Sequence, residues 1–234
     1  MARRASSNWW IDHYGKPCVN RDIVSCEWYP GLTRNQIKVH TGTEQLWQAL
    51  GAIFLAYNYH IPASYTGAYS CRPVTGGTGW SGHAWPLAMD INAKTNPYIR
   101  TPSRRSIKWG VETDMPAAMV AEGKQITASG VRAFDWGGDW RSIKDSMHWQ
   151  VRVTLDEIAG GVEAPRGFYT GEDDLAHLSD EAQKFWEAQY QEQKKELNPP
   201  TNPDAFHTLV THVRDHPGGG KHTHDATTEV GESQ

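Results

Sequence analysis

Ser81-Gly82-His83-Ala84-Trp85-Pro86-Leu87-Ala88-Met89-Asp90, read together with Asp145-Ser146-Met147-His148-Trp149, is the stretch that decides how this chain is built. It holds two histidines and one carboxylate, with a second carboxylate three residues before the last histidine. Zinc that performs hydrolysis keeps three protein ligands and leaves a fourth position to water. A neighbouring carboxylate then takes the proton from that water as it attacks a carbonyl. On this reading His83, Asp90 and His148 hold Zn2+ and Asp145 is the base.

The residues around these positions alternate. Met147, Trp149, Val151 and Val153 point one way and His148, Gln150 and Arg152 the other. In the same manner Met89 and Ile91 oppose Ala88, Asp90 and Asn92. Two strands, each presenting one ligand to a common face, make a rigid platform. The first set of side chains is expected in the core, and His148 on an open face. The fold class expected is α+β: a small antiparallel sheet carrying the zinc site, helices packed on its other face, then a C-terminal helix and a polar tail.

The helix signals lie on both sides of the first block. Leu46, Leu50, Ile53, Phe54 and Tyr57 recur at helical spacing and predict a helix over 44–57, with Thr41 and Glu44 spaced as a capping box. A shorter helix is predicted from Pro116 to Glu122, with Asp114 near its start and Gly123 at its end. Between Ala93 and Asp114 the Asn96-Pro97, Thr101-Pro102 and Arg104-Arg105 pairs read as a long loop, either a rim over a groove or a plain surface excursion. Ten of the eleven tryptophans precede residue 150, which places the core N-terminally. Trp80, Trp85, Trp136 and Trp140 are candidates to line a groove, with core packing the alternative for each.

With 234 residues the chain is long enough for one well-buried domain and additional elements. The expected division is a metal-site domain over 1–165, a linker and helix over 166–197, and a polar tail over 198–234. Ser179–Leu197 is rich in Glu, Gln, Lys and Ala and closes at Asn198-Pro199-Pro200. The tail carries five of the eleven histidines with 2 basic and 5 acidic residues; a solvated tail is expected there rather than a second metal site. A net charge of −4 argues against a nucleic-acid partner or an anionic membrane surface. No apolar run reaches the roughly 18–20 residues of a membrane span, and the first ten residues do not read as a secretory signal. Cys18, Cys26 and Cys71 are odd in number and lack CxxC spacing; they are read as buried thiols with room for one pair, and leave the compartment open.

These blocks resemble the M15 zinc peptidases, whose pattern is Ser-x-His-x-x-Gly-x-Ala-x-Asp, followed downstream by an acidic residue, two positions, a His and an aromatic. That group comprises D-alanyl-D-alanine carboxypeptidases, D,D-dipeptidases and L-alanyl-D-glutamate endopeptidases acting on peptidoglycan stem peptides. The run Phe134-Asp135-Trp136-Gly137-Gly138-Asp139-Trp140 and the block Asp145–Gln150 look like the phage-encoded members. The resemblance spans roughly 40–153. It implies that Ser81 and Ala88 support the site, that His83, Asp90 and His148 are zinc ligands and that Asp145 is the catalytic acid and base. It also implies that Arg72 binds a substrate carboxylate or the polarised carbonyl. Two positions depart from the pattern: Pro86 stands at the motif glycine, and Gln150 where a Glu is common. Gln150 is then expected to orient His148 from behind.

The activity expected from the resemblance is hydrolysis of peptidoglycan stem peptides, L-Ala-D-Glu endopeptidase first and D-Ala-D-Ala carboxypeptidase second. The expected partner is bacterial peptidoglycan. The expected setting is a phage endolysin that passes from host cytoplasm to cell wall, or a lysin attached to other tail proteins of the virion. A phage tail protein whose peptidase-like domain only binds the wall is the rival from another class.

Overall fold

The computed structural model describes residues 6–169 apart from 31, 33–36, 101–104 and 142. The C-terminal helix and the histidine-rich tail expected from the sequence lie outside the described residues. In chain order the elements are α1 (Ser7–Tyr14), β1 (Ile23–Ser25), β2 (Lys38–His40), α2 (Glu44–Ala56), β3 (Ala88–Asp90), β4 (Tyr98–Arg100) and α3 (Ala117–Gly123). There follow β5 (Thr127–Ala128), β6 (Val131–Arg132), β7 (Phe134–Trp136), β8 (Ile143–Asp145), β9 (His148–Val151), α4 (Leu155–Ala159) and β10 (Val162–Glu163). Among the described residues the fold is α+β, with four α-helices and small antiparallel sheets: β3-β9-β7, β10-β5-β6, β1-β2 and β4-β8.

The β3-β9-β7 sheet carries Asp90 and His148 on one side and the core on the other. Trp149 of β9 meets Phe54 of α2 at 6.1 Å between ring centroids, and Trp47 meets Phe134 of β7 at 4.9 Å. Leu46, Leu50, Ile53 and Phe54 are fully buried as their spacing predicts, but Trp47, Ala49 and Gly51 are buried as well. The helix is therefore packed nearly all round. A Cβ on Gly51 would lie 1.7 Å from the Trp28 carbonyl oxygen, so only glycine lets the two backbones approach this closely.

The capping box at Thr41 does not form. The N-cap of α2 is Thr43, whose hydroxyl donates to the His40 carbonyl at 2.7 Å instead of capping the helix. A complete capping box closes α4, where Thr154 and Glu157 satisfy each other's backbone donors. Its Ser/Thr-x-x-Glu signature stands in the sequence, but five residues are too few for a periodic apolar pattern.

Helix α1 has no counterpart among the sequence expectations. Ser6 caps it, and Trp10 and Tyr14 anchor it by donating to the carbonyls of Val151 and Val153 at 3.2 and 2.6 Å. The helix predicted from Pro116 appears as α3, with Pro116 at the N-cap. Within the expected 93–114 loop there is a strand: β4 pairs with β8, placing Tyr98 opposite Asp145. Cys18 and Cys71 form a disulfide, and Cys26 is a buried thiol. The packed chain continues through Tyr169, 2% exposed, whose N–H donates to the Gln48 carbonyl of α2.

Candidate metal centre

His83 occupies a single 3-10 turn, Gly82–Ala84, capped by Ser81, whose hydroxyl accepts from the His83 N–H. The extended segment beside it holds this turn in place. Gly67 exchanges both backbone hydrogen bonds with Asp90, and the Ser70 N–H donates to the His83 carbonyl at 3.0 Å. One residue on from Gly67, the Ala68 carbonyl accepts from His83 Nδ1 at 2.5 Å. A carbonyl can only accept, so the ring proton sits on Nδ1 and Nε2 keeps a bare lone pair.

His148 is directly opposite Asp90 in the β3–β9 register, which puts both side chains on the same face. Its Nε2 lies 3.1 Å from Gln150 Oε1. Gln150 thus has the orienting role expected of it, and Nδ1 is turned inward. The inward atoms converge: His83 Nε2 is 3.2 Å from His148 Nδ1 and 3.2 Å from Asp90 Oδ2, and His148 Nδ1 is 3.0 Å from Asp90 Oδ1. Three ligands held at about 2.0–2.1 Å around a tetrahedral ion would stand about 3.4 Å apart. The donor set is therefore the right size and chemistry for a metal ion, and it is the one such group among the described residues.

The electrostatics of the pocket agree. Burial works against ionising Asp90, but the His148 and His83 imidazoles beside it hold its carboxyl well below the usual carboxylate range. Burial also disfavours charge on His148, and is outweighed by Asp90, so the imidazole is pushed up. Two bare nitrogens facing a carboxylate at these distances require a cation between them, a proton or a metal.

The face on which His148 sits is not open, contrary to the alternation-based expectation. His148, Gln150 and Arg152 are 6%, 7% and 7% exposed. The ring of Trp140 covers His148 at 5.1 Å, and Asp135 takes the Arg152 guanidinium at 2.8 Å. Strand periodicity tells the two faces apart but not whether the second face is also covered.

Asp145 ends β8 beside this cluster. Burial raises its pKa, and it interacts electrostatically with His148, Asp90, His83 and Arg72. Its Oδ1 is buried without a hydrogen-bond partner. An unsatisfied carboxylate oxygen aimed into a cluster of charges is poised to take a proton. Its backbone is fixed by the 3-10 turn Gly137–Asp139, because a Cβ on Gly137 would lie 2.2 Å from the Asp145 carbonyl oxygen. The double glycine was visible in the sequence; what it packs against was not. Nor was the Ala68 carbonyl, which has no sequence signature.

Arg72 follows the disulfide-bonded Cys71, and its carbonyl accepts from the Ser81 N–H at 3.3 Å. Its guanidinium donates only long bonds, 3.4 Å each, to the Pro73 carbonyl and the Thr75 hydroxyl. Of the groove candidates, Trp85 and Trp136 are core residues at 2% and 1% exposure, donating to the carbonyls of Gly15 and Ser146. Trp80 and Trp140 remain partly exposed.

Comparisons with curated proteins and with solved structures gave no match. Residues 75–151 match the family described as D-alanyl-D-alanine carboxypeptidase. That span contains His83, Asp90, Asp145 and His148, and begins three residues after Arg72. This stretch of the chain, with the two histidines and two aspartates in it, is thus similar to the M15 peptidases.

Proposed function

We propose that the protein is a zinc-dependent peptidase that hydrolyses peptidoglycan stem peptides. The observation that carries the reading is the arrangement of the two imidazoles. Each is held by an acceptor behind it, Ala68 or Gln150, and turns a bare nitrogen toward Asp90. Zinc is the ion that two neutral imidazoles and a carboxylate suit best. When bound, it would bring the pKa of a water near neutrality and polarise the scissile carbonyl.

The chain's own residues supply the remainder. Asp145 accepts the proton of the attacking water on its unpartnered oxygen, and later returns it to the leaving amine. Its raised pKa brings it nearer the operating pH, so that both transfers are feasible. Arg72, whose own hydrogen bonds are long, balances the negative charge that develops on the substrate carbonyl or is carried by a substrate carboxylate. Trp140 covers the ring of His148 and keeps bulk water from it.

The aspartate base and the Trp136–Trp140 run favour an L-Ala-D-Glu endopeptidase, by resemblance to the phage-encoded branch. The description of the matched family supports the second reading, D-Ala-D-Ala carboxypeptidase. The same resemblance suggests a phage setting, as an endolysin or as a lysin attached to the virion tail. Digestion of purified cell walls, with mass analysis of the released peptides, separates these readings. An endopeptidase frees the L-Ala carboxyl, a carboxypeptidase releases D-Ala, and a wall-binding module releases nothing.

A further inference from the structure

A second cavity lies behind the metal centre. In β8 the side chains of Ile143 and Asp145 point to one side and Lys144 to the other. On the Lys144 side is a cleft of about 460 Å³, lined by Lys144, Arg141, Arg105, Asp139 and Trp109 among others. Strand β8 thus separates the metal centre from a second, positively charged hollow.

Charges in the cleft are unequally satisfied. Arg105 is committed to Glu112 in a two-pronged ion pair, and Asp139 to Lys124 at 3.0 Å. Lys144 is 3% exposed, yet among the described residues its ammonium has one hydrogen bond, to the Trp140 carbonyl, and no ion pair. An ammonium has three protons to donate, so two are left for a ligand. Burial lowers the Lys144 pKa and Arg105 adds to it, and the nearby Asp139 and Glu112 carboxylates, each already paired elsewhere, do not offset this. Arg141 at the mouth makes no ion pair among the described residues. Trp109 is stacked on Trp136 at 5.3 Å and 13°, yet 43% exposed, which offers a flat apolar wall.

We propose that this cleft is a binding subsite for a short acidic peptide, its carboxylate held by Lys144 and Arg141 and its apolar portion laid against Trp109. Asp139 selects a peptide over a phosphodiester polymer. Beside its pairing with Lys124, its carboxylate keeps lone pairs that can accept an amide or ammonium N–H, which a ligand anionic throughout does not offer. The choice of a wall stem peptide as that ligand rests on the wall-peptidase reading. Such peptides carry free carboxylates beyond the bond being cut. A subsite behind β8 would favour stem peptides whose acidic groups are unmodified.

The test uses full-length, zinc-loaded Asp145→Asn, which binds without turnover. The probes are a synthetic stem tripeptide with free carboxylates and its amidated twin, followed by tryptophan fluorescence and calorimetry. Arg141→Ala should weaken the acidic tripeptide by roughly tenfold, the scale of one charge-assisted contact, and leave the amidated twin unchanged. Lys144→Met should do the same, and Arg141, being exposed, keeps the experiment interpretable should Lys144→Met fail to fold. In the catalytically intact chain, Arg141→Ala should raise KM for the acidic peptide and leave kcat within about twofold. Equal losses for both twins, or no loss for either, would overturn the subsite. Binding of poly(glycerol phosphate), lost in Arg141→Ala while tripeptide binding is kept, would reassign it to a phosphate polymer. Charge-selective binding without cleavage of any wall peptide would keep the cleft and remove the peptidase reading. Cleavage without charge selectivity would do the reverse.

Discussion

Asp90 and His148 stand directly opposite each other on β3 and β9, with Oδ1 3.0 Å from Nδ1. One register step therefore sets two of the three converging donor atoms. A slip by one residue would turn both to the core face. His83 approaches from a turn and not from a strand, so its orientation depends on the Ala68 carbonyl.

His83→Ala and His148→Ala should each lower the zinc content of the full-length protein by about one equivalent, because a two-ligand remnant binds weakly. Elemental analysis of variant and parent side by side checks this, since the tail histidines are the same in both. Unchanged zinc content in both variants would remove the ligand assignment.

Asp145→Asn should retain its metal and lose kcat by roughly 10²–10⁴, the range for a general acid–base residue. Gly137→Ala makes a related change through the backbone. The new Cβ would have to displace the Asp145 carbonyl, 2.2 Å away, so turnover should fall while zinc stays bound. Full activity in Gly137→Ala would show that the position of Asp145 is not critical.

The pH dependence of stability should differ between zinc-free and zinc-loaded protein. In the zinc-free form the His148 pKa lies above the ordinary 6.5, so its pairing with Asp90 stabilises fully below that value and is lost as pH rises through the raised pKa. Asp90 is shifted down, and its contribution is lost only as pH falls well below the carboxylate range. Zinc needs neutral imidazoles, so its stabilising effect should grow with pH across the same window. Thermal melts with and without chelator between pH 5 and 8, on the order of the range where histidine titrates, should show a widening gap. A gap that narrows toward pH 8 would contradict the histidine assignment.

Reduction of the Cys18–Cys71 bond should destabilise the protein and weaken catalysis together. The bond closes 53 residues of chain, worth up to about 4 kcal/mol in unfolded-state entropy. It also anchors the segment that carries Arg72. Reductant, or the Cys18→Ser and Cys71→Ser pair, should lower Tm and raise KM. A lower Tm with unchanged KM would mean that Arg72 is held by other contacts.

His83, Asp90, Asp145 and His148 were legible in the sequence because each metal-site motif is short and keeps its ligand types at fixed spacing. The α2 helix was legible because its apolar residues recur every turn, and the ligand strands because their side chains alternate. Helix α1 was not, since its two anchoring residues, Trp10 and Tyr14, find their partners near residues 151–153. The pairing of β4 with β8 was hidden in the same way, within a segment whose Asn-Pro and Thr-Pro pairs read as loop.

By itself, then, the sequence determined which residue types form the His83–Asp90–His148 cluster and which local elements present them, since those properties depend on neighbours within a few positions. Tertiary structure alone decided which nitrogen of His83 faces inward, because the Ala68 carbonyl comes from 15 residues away, whereas His148 is oriented by Gln150 on its own strand. It likewise decided which two cysteines join and that the ligand face of β9 is covered. It also buried Lys144 with no ion pair among the described residues. Each of these depends on long-range packing, in which a backbone carbonyl or a distant ring decides the outcome, and neither leaves a periodic trace in the chain.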